Sequence, residues 1–160
     1  MIERGLTEAE RALARSVFGD AIDYDAVRIF NRKWAFFQPR RVTMAPMGHI
    51  HFHPRGQAWC PDFCEVGLQR QAHFIHEMTH VWQAQTRGRW YLVLMRYPGM
   101  RYSYALKPGW PLERYNLEQQ AEIVKHYFLL SRGQQVAGAP GIEAYRAIMP
   151  FLPVEPTSFT

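Results

Sequence analysis

The 160-residue sequence lacks the features of several common protein classes. It has two cysteines, Cys60 and Cys64, too few for a disulfide framework or a four-cysteine zinc site. No apolar run approaches the roughly 20 residues that a membrane-spanning helix needs. The first residues lack the apolar stretch of a secretory signal. We therefore expect no membrane partner, and residence in the cytoplasm or export without a cleaved signal peptide.

The basic residues are not gathered into a continuous patch. The net charge is +5, but lysines and arginines stand singly or in pairs, and aromatic side chains interrupt the densest group, within residues 32–41. A nucleic-acid-binding domain normally concentrates positive charge on one face. A nucleic-acid partner is therefore not expected.

The composition is that of a globular protein, with 48% hydrophobic and 14% aromatic residues. A chain of this length suits one hydrophobic core. We predict a single domain over residues 1–150 and a flexible C-terminal tail over residues 151–160.

Residues 76–80 carry the pattern H-E-x-x-H. On a helix, His76 and His80 lie about 40° apart, close enough to bind one metal ion. A neutral imidazole is a good zinc ligand, and a neighbouring carboxylate can take the proton that makes a zinc-bound water a nucleophile. We predict one Zn²⁺ per chain, with His76 and His80 as ligands and Glu77 as general base.

A chance match, or two histidines buried in a core, is the alternative to the metal site. The predicted helix, about residues 69–86, places its large apolar side chains on the side opposite the histidines. These side chains are Phe74, Ile75, Met78, Val81 and Trp82. His73 shares the histidine face and is expected at the rim of the site, as a group that supports a ligand.

The other predicted elements surround this helix. We predict helices over residues 7–18, 117–131 and 141–149, short strands over 27–30, 42–45 and 49–54, and an irregular aromatic loop over 100–114 that covers a site. The apolar run over 90–97 is of undecided type. His49, His51 and His53 share one face of the third strand and are expected to face solvent or the cleft, with a direct metal role as the alternative. Cys60 and Cys64 are expected as reduced thiols, with a small disulfide or a second metal site as the alternative.

A catalytic zinc takes three protein ligands, so a further donor is required. Glu118 and Glu122 share one ridge of the predicted helix over 117–131, and spacing alone allows either to reach the metal. Glu118 is favoured because free N–H groups near the helix start can hold its carboxylate ionised. Glu122 would then accept a ring N–H from a ligand histidine, or pair with Lys125 or His126.

The H-E-x-x-H pattern with a later Glu-x-x-Ala helix, Glu118 to Ala121, resembles the short bacterial gluzincins, whose glutamate at that place binds the metal. Residues 76–83 and 118–122 also resemble small bacterial H-E-x-x-H proteins that are Vgr-related and linked with type VI or similar contractile secretion machinery. The resemblance covers about residues 5–130. It implies Glu118 as third ligand and a zincin-like α+β fold, with a small β-sheet packed against the central helix and a second ligand-bearing helix.

The resemblance also implies a zinc metallopeptidase that hydrolyses a peptide or amide bond, with a peptide or protein as substrate. The oxyanion formed in this reaction needs a further donor. Four candidates follow from residue type and position: Tyr102, Tyr104, Tyr115 and His126. The alternative is a zinc-stabilised, non-catalytic interaction protein that is a component of a bacterial secretion or toxin system. Such a protein would not need Glu77.

Overall fold

Local capping signals set the ends of the main helices in the computed structural model, which describes residues 2–152. Thr7 begins the first helix with a reciprocal capping box to Glu10, and Asn116 does the same with Gln119 at the start of another. The helices are α1 Glu8–Phe18, α2 Leu68–Arg87, α3 Tyr91–Met95, α4 Leu117–Ser131 and α5 Ile142–Arg146, with 3-10 turns at Phe63–Glu65 and Leu112–Arg114. The predicted bounds of α1, α2 and α4 agree with these to within about a residue.

Three two-residue strands form a small sheet: β1 Glu3–Arg4, β2 Ile29–Phe30 and β3 Ile50–His51. β1 is antiparallel to β2, with Glu3 opposite Phe30, and β2 is parallel to β3, with Ile29 opposite Ile50. The predicted α+β class with a small sheet is therefore confirmed.

All three predicted strands are longer than those observed: the strand expected over 27–30 shortens to β2, and β1 was not predicted. The strand expected over 42–45 is reduced to a single bridge between Met44 and His51, and the strand over 49–54 shortens to β3. The buried Gln38 side chain donates to the carbonyl oxygens of Val42, at 2.8 Å, and His51, at 3.0 Å. The Gln38 amide thus links the Val42 carbonyl to that of His51, which also accepts from the Met44 amide in the bridge.

A stack of three phenylalanines joins the β3 region to α2. Phe52 stacks on Phe63, with ring centroids 5.4 Å apart, and Phe63 stacks on Phe74 of α2 at 5.1 Å. All three side chains are buried. This confirms that the apolar face of the third predicted strand packs on the central helix.

α2 is buried on both of its sides. Its Phe74, Ile75 and Met78 lie in the main core, whereas its histidine face packs against α4. Ala121 of α4 is completely buried and has the smallest side chain that still favours a helix. The pairing of α2 with α4 positions the candidate site.

The remaining segments differ in detail from expectation. The run over 90–97 contains the short helix α3, and α5 ends at Arg146, before the predicted Met149. Phe151 packs on Phe18 and Trp82, each at 4.9 Å between ring centroids. The rest of the predicted tail, residues 153–160, lies outside the described residues. Within residues 2–152, no helix is long and apolar enough to cross a membrane.

Candidate metal centre

Two histidines of α2 and one glutamate of α4 bring three potential ligand atoms together. Oε2 of Glu118 lies 3.2 Å from Nε2 of His80 and 3.3 Å from Nε2 of His76, and the donor atoms of the group all lie within 4.8 Å of one another. All three side chains are at least nine-tenths buried. Within residues 2–152, no other group of three or more histidine, cysteine, aspartate or glutamate side chains brings its potential ligand atoms this close together.

The outer nitrogen of each ring is fixed by a partner. Nδ1 of His76 lies 2.9 Å from Oε1 of Glu122, and Nδ1 of His80 lies 2.8 Å from Oε1 of Gln83. The Gln83 amide nitrogen donates to the Leu117 carbonyl oxygen, at 3.1 Å, and to Gln120 Oε1, at 2.9 Å, so its own oxygen faces His80. Both acceptors place the ring proton on Nδ1. In the neutral rings, the two Nε2 lone pairs therefore point toward Glu118.

Nε2 of His76, Nε2 of His80 and Oε2 of Glu118 converge in a buried space, where a positive charge between them stabilises their lone pairs. Ligands about 2.0–2.1 Å from a tetrahedral zinc are separated from one another by about 3.3 Å. The distances of 3.2 Å and 3.3 Å within the group match this separation. The three residues therefore fit a metal site with two nitrogen donors and one oxygen donor.

The two carboxylates around His76 favour positive charge at this position, which the protonated ring supplies without a metal and a metal ion would supply when the ring is neutral. Burial lowers the pKa of His76, but the hydrogen bonds to Glu118 and Glu122 outweigh burial and raise this pKa to about 9. Burial likewise opposes ionisation of Glu122, yet His76 and Lys125 lower the pKa of Glu122 to about 2. The pKa of Glu118 is lowered for the same reason, by His76, His80 and Arg96. Both carboxylates are therefore anionic near neutral pH.

Glu77 lies beside the donor group and not within it. It is 4% exposed, and its Oε1 lies 3.6 Å from Nε2 of His73, a nitrogen that is hydrogen-bonded to Oγ1 of Thr43 at 3.0 Å. Burial lowers the pKa of His73, while the neighbouring Glu77 opposes this shift. Oε2 of Glu77 is buried without a hydrogen-bond partner in the part of the chain that is described. A buried carboxylate oxygen in this state is available to a proton donor that enters the site.

Of the four candidate donors from the sequence, Tyr102 lies at the site. Its ring stacks on His76 with centroids 6.1 Å apart, and its hydroxyl lies 3.3 Å from Nη2 of Arg96. The same nitrogen lies 2.8 Å from Oε1 of Glu118. Arg96 contacts the candidate third ligand but was not predicted from the sequence, because it lies within the run over 90–97, whose structure the sequence left undecided.

The other three candidates have their own hydrogen bonds. The Tyr104 hydroxyl lies 2.5 Å from Nδ1 of His126 and 2.7 Å from the Tyr145 hydroxyl, and the Tyr115 hydroxyl accepts from the Lys107 amide at 2.8 Å. His126 reaches the site indirectly, since its Nε2 lies 3.6 Å from Oε2 of Glu122. Gln83 was not predicted as a site residue, although its position three residues after His80 on the same helix is a signal for a side-chain partner.

The strand histidines differ from expectation. His51 faces neither solvent nor the cleft, because Phe30, its partner in the sheet, stacks on its ring at 4.6 Å and buries it. Burial lowers the pKa of His51 to about 4. His49 is partly buried near Phe30, and Nδ1 of His53 accepts from the Arg55 amide. Both cysteines are free thiols, as predicted.

Comparisons with individual known proteins show the family of this chain, although no family model matches it. Over 135 residues, it is 46% identical to the type VI secretion system spike protein VgrG2b of Pseudomonas aeruginosa. The matched region covers 79% of this chain and 13% of the spike protein. The solved structure of the effector domain of P. aeruginosa VgrG2b superposes with a TM-score of 0.74 and 38% identity, over 91% of this chain and 83% of that domain. This chain belongs to the VgrG2b effector-domain family.

The predicted relation to Vgr proteins is thereby confirmed. The chain spans about 13% of the length of the curated spike protein, whereas it covers most of the solved effector domain. The relationship therefore concerns the effector domain of VgrG2b and not the whole spike. Membership of the gluzincins and the zincin-like fold remain predictions of the sequence.

Proposed function

We propose that this VgrG2b-like domain is an effector of a type VI secretion system and acts as a zinc-dependent hydrolase of peptide or amide bonds. The secretion-system role rests on the relationship to the VgrG2b effector domain. The chemistry rests on one observation: Glu77, a buried carboxylate with an unpaired oxygen, lies next to the histidine and glutamate donor group. A metal that only stabilises a fold needs no such neighbour.

In this proposal, His76, His80 and Glu118 hold the zinc ion. Zinc, when bound, supplies Lewis acidity that polarises the scissile carbonyl and makes water acidic enough to attack it. Glu122 and Gln83 keep both rings in the tautomer that offers Nε2.

Glu77 accepts the proton of the attacking water and delivers it to the departing amine nitrogen. Nε2 of His73 lies 3.6 Å from the other carboxylate oxygen of Glu77, and Thr43 holds that nitrogen by a hydrogen bond. Tyr102 and Arg96 are the nearby groups with N–H or O–H donors for the carbonyl oxygen.

A second candidate function is a zinc-stabilised interaction protein without turnover, which would be equally compatible with a secretion-system component. One observation favours it. The three candidate ligands are nearly inaccessible to solvent and join α2 to α4, as the ligands of a structural ion do. The two candidates differ in what they require of Glu77.

The Glu77→Gln variant separates the two functions. Zinc-loaded wild type should cleave members of a peptide library derived from a whole proteome, detected by mass spectrometry. Glu77→Gln should keep the zinc content and melting temperature but cleave at least about 100-fold more slowly, because the amide cannot accept a proton. Glu113→Gln, an exposed site with the same change, is the matched control.

Two outcomes would contradict the proposal. Equal cleavage rates for Glu77→Gln and wild type would remove Glu77 as the base. A zinc-loaded wild type that cleaves no peptide in the library would favour the interaction protein.

A further inference from the structure

Glu122, the partner of the candidate ligand His76, is not enclosed on all sides by packing. Its Oε1 lies 2.9 Å from Nδ1 of His76, and its side chain also lines a cavity of about 600 Å³. Open space on that side leaves the carboxylate room to rotate away from the ring. The orientation in which Glu122 accepts from His76 therefore depends on the polar groups that contact its carboxylate.

Two neighbours on α4 contact this carboxylate. Nζ of Lys125 lies 3.2 Å from Oε1 of Glu122 and 3.3 Å from Oε2, and Nε2 of His126 lies 3.6 Å from Oε2. The ammonium group of Lys125 sits on a flexible four-carbon stem. The His126 ring is rigid and lines the same cavity, and its direction is set once a partner holds its other nitrogen. His126 is therefore the neighbour that can fix the orientation of Glu122.

Two tyrosines hold the other nitrogen of His126. Nδ1 of His126 lies 2.5 Å from the Tyr104 hydroxyl, which lies 2.7 Å from the hydroxyl of Tyr145 on α5. Burial raises the pKa of both phenols, so both hydroxyls keep their protons at neutral pH. Each hydroxyl can donate one proton and accept another. The three side chains therefore form a continuous hydrogen-bond chain that starts at α5 and ends at Glu122.

The inner end of this chain sets the direction of its protons. Ionised Glu122 can only accept, so a neutral His126 ring presents the N–H of Nε2 to it, because a lone pair there would face an anion at 3.6 Å. Nδ1 of His126 then accepts from the Tyr104 hydroxyl, whose oxygen accepts from Tyr145. Glu122 in turn accepts from Nδ1 of His76, which leaves Nε2 of that ring for the metal.

We infer that Tyr104 and His126 are positioning residues of the metal centre, which hold Glu122 in the orientation that presents His76 to zinc. This inference rests on the zinc site of the proposed function and not on hydrolysis. It gives α5 and the segment before α4, which contribute no ligand, a role in zinc affinity. The alternative is that the three side chains only fasten α5 to α4.

Zinc affinity of conservative variants tests this role. Tyr104→Phe removes the hydroxyl and keeps the ring. It should raise the zinc dissociation constant, measured by chelator competition, about 3- to 10-fold, less than removal of a direct partner of a ligand, because Tyr104 acts one contact further out. Tyr24→Phe is the matched control and should leave the constant unchanged, since the Tyr24 hydroxyl is bonded at 2.7 Å to the Gly19 carbonyl oxygen. His126→Phe should weaken zinc binding at least as much as Tyr104→Phe, and tests the inference even if Tyr104→Phe does not fold.

A double-mutant cycle separates positioning from a general loss of stability. If Tyr104 acts through Glu122, Tyr104→Phe should change zinc affinity by less than about 1.5-fold once Glu122 is replaced by alanine. An equal loss with and without Glu122 would mean that Tyr104 only supports the fold, and would overturn the inference. Long-range proton–nitrogen NMR spectra of the metal-free protein at about pH 8, above the usual pKa of histidine, give a second readout. His126 should carry its proton on Nε2, and a proton on Nδ1 would overturn the inference.

The positioning role and the proposed hydrolase fail in different ways. A protein that shows the expected cycle in zinc affinity but cleaves no peptide retains the positioning residues and loses the hydrolase. Cleavage and zinc affinity that are both unchanged in Tyr104→Phe and His126→Phe would retain the hydrolase and overturn the positioning role. A wild type that binds no zinc would overturn both.

Discussion

The two glutamates of α4 should differ sharply in their effect on zinc affinity. Glu118 contributes an atom to the donor group, whereas Glu122 holds His76 through its outer nitrogen. We therefore expect Glu118→Ala to lose most of the zinc and Glu122→Ala to weaken binding about 10- to 100-fold, the usual cost of removing a partner of a ligand.

The larger effect follows from charge. Unit charges about 4 Å apart interact by about 4 kcal/mol at an effective dielectric of 20, which is roughly three orders of magnitude in affinity. Glu118 is closer than this to both ring nitrogens, and the ion is divalent, so we expect a loss on the order of 1000-fold. In the wild type, Nη2 of Arg96 lies 2.8 Å from Oε1 of Glu118. Glu118→Ala therefore also leaves Arg96 near the metal without its carboxylate partner.

Competition with a chromophoric chelator gives the zinc dissociation constants of both variants. Glu113→Ala, an exposed change of the same type, should leave the constant unchanged. A larger loss for Glu122→Ala than for Glu118→Ala would make Glu122 the third ligand. Wild-type affinity in Glu118→Ala would remove the carboxylate from the centre altogether.

Three further predictions concern stability. Chelation should lower the melting temperature, measured by calorimetry with and without excess zinc, because a bound ion stabilises the folded state and joins α2 to α4; unchanged melting of the metal-free protein would contradict this. In denaturant titrations, Glu10→Ala should lower the free energy of unfolding by about 3–5 kcal/mol, because Glu10 is completely buried and paired with Arg4. Glu8→Ala changes a side chain that is 97% exposed and should leave this free energy almost unchanged. Equal losses for the two variants would refute the buried pair. Because the pKa of His51 is about 4 when folded and about 6.5 when unfolded, its contribution to stability is present above pH 6.5 and is lost, by up to about 3 kcal/mol, as the pH falls toward 4. In chelator, His51→Phe, which preserves the stack on Phe30, should remove that part of the acid-induced loss, and an unchanged pH profile would refute this assignment.

Features with a local cause are readable from the sequence. The i, i+4 spacing of His76 and His80 places both rings on one face of any helix that contains them, and Asn116 with Gln119 fixes where α4 begins. These depend on backbone geometry and on hydrogen bonds over three or four residues. The α+β class and the bounds of the long helices were accordingly predictable.

Features with a distant cause were not. The Gln38 side chain bonds to the carbonyl oxygens of Val42 and His51, which a strand pattern does not reveal, and Phe30 buries a histidine that alternation alone would expose. The contacts of His51 with Gln38 and with Phe30 each join residues that lie at least 13 positions apart in the sequence. Periodicity reports which face a residue shares, but not what packs on that face.

The sequence by itself determined that two histidines and one glutamate of α2 stand together, since one helical turn sets their positions. Only the tertiary structure decided that Glu118 meets both rings and that Arg96 contacts Glu118. Those contacts depend on how α2, α3 and α4 pack. Packing is set by the fit of whole surfaces to one another, and no short pattern in the chain encodes that fit.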